Sequence, residues 1–207
     1  MDALVHREDG CGLRPRHPIV CILDLLGMCF TVIAWVYRPE MSLLILPAAI
    51  IAQYAVSCVY HWLPYNKTRQ AIDHLTIAAL ILATYAQYWV RSLPTNEASW
   101  RILLLGAATV AVLALRLALP NYENLRNALY LVLGFGGLGM SLLNPAMFPL
   151  VAWAGFLSGI GLYFVQFLVL LFQKPNPLPE LLGFRELQHV ILIAASGLHL
   201  AVAAAYL

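Results

Sequence analysis

Charge is what this chain has least of. Lys, Arg, Asp and Glu together make up 11% of its 207 residues, whereas 62% are hydrophobic and the mean hydropathy is +0.79. So few charges cannot cover a water-facing surface, which excludes an ordinary soluble globular protein. The net charge of +2 gives no basis for a nucleic-acid partner. Cysteine is also scarce: Cys11, Cys21, Cys29 and Cys58 include no CxxC pair. Three of the four fall in apolar runs, where the default role is that of a small apolar side chain. There is no obvious internal repeat, no polar domain flanking the apolar sequence and no signal-peptide pattern. What the chain does have is apolar sequence gathered into long runs, and these make it an integral membrane protein.

Seven runs approach or exceed the length needed to cross about 30 Å of hydrocarbon as helices. They are Ile19–Tyr37, Met41–Leu63, Ala71–Val90, Ile102–Leu119, Ala128–Leu143, Ala146–Phe172 and Leu187–Leu207. Proline and polar clusters such as Arg38-Pro39-Glu40, Pro64-Tyr65-Asn66-Lys67 and Lys174-Pro175-Asn176-Pro177 separate them. The expected fold is therefore all-α: a tail over residues 1–18 and a single seven-helix transmembrane domain over residues 19–207. Alternate loops differ in basic charge. Arg7, Arg14, Arg16, Lys67, Arg69, Arg116, Arg126, Lys174 and Arg185 fall on one side, and only Arg38, Arg91 and Arg101 on the other. The positive-inside rule then places the N-terminus in the cytoplasm and the C-terminus outside. The expected location is the inner (cell) membrane of a bacterium.

That orientation brings three ionisable residues to one depth. His61 lies at the cytoplasmic end of the second run, while Asp73 and His189 lie near the cytoplasmic starts of the third and seventh. Ionisable groups within a membrane are costly, so such a convergence marks a candidate site. Ser57 precedes His61 by one turn on the same helix face. His74 points about 100° away from Asp73 and reads as a neighbouring group. Asp24, about five residues into the first run, lies within reach of the same region, as does Cys58, one turn before His61. His199 is ten residues beyond His189, or ~15 Å deeper, and reads as a buried histidine bonded to another helix. Gly155 and Gly159 form a GxxxG packing motif. Tyr37, Trp62, Trp89 and Trp100 read as interfacial anchors.

Ser57-Cys58-Val59-Tyr60-His61, Arg69-Gln70-Ala71-Ile72-Asp73-His74 and Gly183-Phe184-Arg185-Glu186-Leu187-Gln188-His189 resemble the hemolysin III family. That family is related to the adiponectin and progestin receptor-like proteins and, more distantly, to the alkaline ceramidases. Its pattern is S-x3-H in the second span, D in the third and H-x3-H at the start of the seventh. The resemblance implies zinc held by three histidines, with the serine and aspartate beside a zinc-bound water. Carried over, His61 and His189 would be ligands, Asp73 the water-orienting carboxylate and Ser57 its polar partner.

The first histidine of H-x3-H is replaced by Arg185. Arginine stays protonated and has no lone pair to donate, so it cannot serve as a ligand. Three outcomes follow. Zinc binds with Asp73, Asp24, Cys58 or water as substitute; the Arg185 guanidinium takes the place of the ion; or Arg185 reaches out to the cytoplasmic interface. If zinc is held, the expected activity is hydrolysis of an amide or ester in a lipid-like substrate. The alternative is a non-catalytic, metal-free lipid-binding or sensor protein, with a pore-forming hemolysin third. Membrane lipids are the expected partners in every case.

Overall fold

The computed structural model describes residues 17–37, 45–118, 123–178 and 182–206. These form seven α-helices: α1 (Pro18–Tyr37), α2 (Ile45–Trp62), α3 (Lys67–Ser92), α4 (Thr95–Ala118), α5 (Glu123–Leu142), α6 (Leu150–Phe172) and α7 (Phe184–Tyr206). The tail through residue 16, with Cys11 and its three arginines, lies outside the described residues, as do Arg38 and the side chain of Arg126.

Each helix sits close to its expected run, and the differences have local causes. α3 starts before Ala71 because the Asn66 side chain caps it, accepting from the Thr68 and Arg69 amides at 2.8 and 3.3 Å. α7 starts at Phe184 because its first amides are met by side chains. Asn176 accepts from the Phe184 amide at 2.7 Å, and Glu186 from that of Gly183 at 2.9 Å. The sixth run, expected from Ala146, is divided. Pro145–Met147 form a 3-10 turn, Phe148 and Pro149 are extended, and the helix begins at Leu150. Pro149 disfavours helical backbone at the residue before it, so the turn cannot run on into the helix.

Five helices, α1, α2, α4, α6 and α7, are long and apolar enough to cross a membrane. Phe30, Val36, Leu103 and Val110 point outward, each more than half exposed. Outer faces of that chemistry suit hydrocarbon, and the chain is an integral membrane protein. α3 falls short because Lys67, Arg69, Asp73, His74 and Gln87 interrupt its apolar sequence. In α5 the apolar stretch is Asn127–Leu142.

α6 and α7 pack most extensively, α1 lies against α2 and α7, and α3 is flanked by α2, α4 and α5. Gly155 and Gly159 provide the close approach of α6 to α7. A Cβ at Gly159 would lie 2.6 Å from the His199 imidazole, and one at Gly155 would meet Val202. The GxxxG pattern therefore acts in packing, as expected. Trp89 does not act as an interfacial anchor. It is fully buried and donates to Ser141 Oγ at 2.9 Å, so its indole belongs to the core with Tyr85, Tyr88 and Phe156. Arg101 is likewise interior, donating to the Met140 carbonyl at 2.9 Å and to Glu97 at 3.0 Å.

Gly159→Leu is expected to cost about 1–3 kcal/mol through overpacking against His199. Gly161, whose Cβ position is open, should accept alanine with an unchanged unfolding midpoint. Thermal unfolding of the two purified variants checks this, and equal midpoints would remove the packing role assigned to Gly159.

Candidate functional site

The polar groups of α1, α2, α3 and α7 meet at the end of the bundle where α2 finishes and α7 starts. Asp24 has no exposed surface, and its Oδ1 lies 2.8 Å from His189 Nδ1. With the carboxylate as acceptor, Nδ1 carries the proton, which leaves Nε2 as the second functional nitrogen of His189. The His61 ring stands edge-on to His189 with centroids 5.2 Å apart. His17 stands edge-on to His61 on the other side at 5.3 Å, and its amide donates to the His61 carbonyl at 3.2 Å. Three imidazoles therefore follow one another, with the Asp24 carboxylate bonded to the last.

Asp73 is 7% exposed and accepts a long bond, 3.5 Å, from Gln53 Nε2. Gln53, Ser57 and His61 recur every four residues, so they occupy one face of α2. This spacing would have singled out Gln53 from the sequence. His17 carried no such signal, because its place follows from how α1 docks on the end of α2.

The remaining candidates divide. Arg185 and His74 line the same cavity as His61, Asp73 and His189. His74 Nδ1 is 2.5 Å from Arg116 Nη2, and because a guanidinium can only donate, that nitrogen is an acceptor. Arg116 also stacks on Tyr130, 4.5 Å from the ring centroid, and Tyr130 donates to the His74 carbonyl at 2.8 Å. Cys58 faces α1 instead of the cavity. Its thiol and that of Cys21 each reach the other's carbonyl, at 3.9 and 3.6 Å. Asp24 supports His189 from behind and is absent from the cavity wall.

The cavity encloses about 440 Å³. Ser57, His61, Asp73, His189 and Arg185 mark its polar end, and Leu131, Phe135, Ile160, Phe164, Phe167 and Leu170 give it long apolar walls from α5 and α6. Its far end reaches Tyr163 and His199, the latter held by Tyr88 of α3 as a buried inter-helix histidine.

A family model described as haemolysin-III related matches residues 16–200. The chain belongs to the haemolysin-III related family. No curated protein and no solved structure matches it. The match runs from before α1 into α7, so the histidines and aspartate of this haemolysin-III related protein can be set against the zinc centre implied by the motif resemblance.

The residues present do not fit a three-ligand zinc centre. Among the described residues no group of three His, Cys, Asp or Glu is arranged to hold a metal ion. Arg185, at the position where the motif resemblance implies an imidazole, has no lone pair. Of the substitutes, Asp24 is bonded to His189 and Cys58 faces Cys21, whereas Asp73 lines the cavity and accepts from Gln53 at 3.5 Å. Zinc analysis of purified protein should therefore give well under one ion per chain, and Arg185→His should raise it toward one. Full zinc occupancy in the unmodified chain would overturn this assignment.

Proposed function

We propose that this protein binds a lipid-like amphiphile in the cavity, with its acyl chain along α5 and α6 and its polar head among His61, Asp73, His189 and Arg185. The shape of the cavity carries this reading: one polar end, apolar walls and a volume suited to a single chain. Access from the bilayer fits the same picture. α5 and α6 touch less than any other consecutive pair of helices. Phe135 and Phe164, with ring centroids 6.0 Å apart across that seam, are 50% and 38% exposed. In the proposed arrangement the chain crosses a bacterial cell membrane seven times, and the loop charges put the polar end at the cytoplasmic face.

Arg185 gives the head end a permanent positive charge. A guanidinium pairs well with a carboxylate or phosphate and cannot lose its proton, so it favours an anionic head.

A second reading, hydrolysis of an acyl amide or ester, rests on the Asp24–His189 bond. A carboxylate on Nδ1 fixes the orientation and tautomer of the imidazole, which leaves Nε2 as the atom to take a proton from water. That water would add to the substrate carbonyl. Collapse of the adduct would break the carbon–nitrogen or carbon–oxygen bond, and the proton on Nε2 would pass to the leaving amine or alcohol. Ser57 and Asp73 would hold the polar head during these steps.

Mass spectrometry of lipid extracted from the purified protein should find an acyl-bearing amphiphile at close to one per chain, depleted in Arg185→Ala. Absence of any such molecule, together with failure to bind added fatty acid, would sink the binding reading. Under the hydrolytic reading, fatty-acid release from a labelled acyl amide or ester persists in EDTA. It should fall by about 100-fold or more in His189→Ala and Asp24→Asn. Lack of turnover in the unmodified chain eliminates hydrolysis and leaves binding.

A further inference from the structure

The far end of the cavity carries polar groups that an acyl chain cannot satisfy. The rings of Tyr163 and His199 stack with centroids 5.6 Å apart and planes inclined by 13°. Both side chains line the cavity, and His199 is 1% exposed. Tyr163 Oη and His199 Nε2 are each buried without a hydrogen-bond partner among the described residues. Buried polar groups of this kind are nearly always satisfied, so two on adjacent stacked rings point to something that meets them.

The donor and acceptor roles at this end follow from Tyr88. Its hydroxyl donates to the His199 carbonyl at 2.9 Å and lies 3.2 Å from His199 Nδ1. A phenol has one proton, and here it is given to the carbonyl. Nδ1 must then be the donor toward Tyr88 Oη, which leaves Nε2 of the neutral ring as an acceptor. Tyr163 Oη supplies a donor. A hydroxyl group fits this pair with a single oxygen, donating to Nε2 and accepting from Tyr163. The surroundings exclude a charged group, since Tyr88 and Phe156 pack their rings against His199 at 5.9 and 5.5 Å.

The spacing from the head end is set by the helices. His199 is ten residues beyond His189 on α7, and Tyr163 is ten residues before Gln173 at the end of α6. Both place this end ~15 Å from the polar cluster.

We infer that Tyr163 and His199 form a second recognition subsite, selecting amphiphiles that carry a neutral hydroxyl about 15 Å along the chain from the polar head. The inference rests on the amphiphile-binding reading and narrows its ligand class to chains with a polar group at each end.

The test compares dodecanoic acid with ω-hydroxydodecanoic acid, whose extended chain has about this reach, on the purified full chain in lipid nanodiscs. The hydroxylated acid should bind about tenfold more tightly, the effect of one or two buried hydrogen bonds. Tyr163→Phe keeps the ring stack and removes only the hydroxyl. It should cut the preference to about threefold, because Nε2 still accepts from the hydroxyl. Equal binding of the two acids by the unmodified chain would overturn the subsite and leave water as what meets these atoms. A preference undiminished by Tyr163→Phe would also overturn it. Binding of neither acid would instead overturn the amphiphile reading on which the subsite rests.

Discussion

The bond between Asp24 and His189 is the constraint around which the bundle is arranged. A carboxylate with no exposed surface is tolerated only where a donor meets it, because an unpaired buried charge costs several kcal/mol. That donor comes from the last helix, so the pairing ties the first helix to the last. It also sets the rotation of α7, and with it the side on which Arg185, one turn earlier, presents its guanidinium. The Asn176 and Glu186 caps fix where α7 begins, and the Asn66 cap does the same for α3 and Asp73. Side-chain caps on two helices thus set the register of the site, and one buried bond sets its orientation.

The convergence of His61, Asp73 and His189 on one cavity was legible in the sequence because the ends of alternating hydropathy runs report depth. Depth is a one-dimensional property, and the runs carried it well. Rotation about each helix axis is a second property, which the sequence carried only where a repeat marked a face. The four-residue spacing of Gln53, Ser57 and His61 was such a mark; Asp24 and Cys58 had none, and both turned out to face neighbouring helices. Trp89 shows the limit of the depth argument. Its position near a helix end suggested an anchor, whereas its bond to Ser141 of α5 and the stacking of Tyr85 hold it in the core. His17 was out of reach for another reason, since nothing local in a histidine before Pro18 tells which helix end it will meet.

Arg185, where the motif resemblance implies a histidine, would alter what the polar end can do. A metal ion polarises a bound group through a coordination bond and lowers the pKa of its water. A guanidinium attracts an anion through several hydrogen bonds and takes up no electron pair. His61, Asp73 and His189 line the same cavity as Arg185. The apolar walls of the cavity come from α5 and α6.

α3 is the least apolar of the long helices and the one most enclosed by others. From Ala83 to Trp89 it is buried without a break on any side. Its polar residues meet protein where those of its neighbours would meet lipid. A helix built in this way gains little from hydrocarbon alone and becomes stable in a bilayer only as the flanking helices close around it. Biogenesis of the bundle is therefore cooperative at its centre: α2 and α4 are the solvent in which α3 folds.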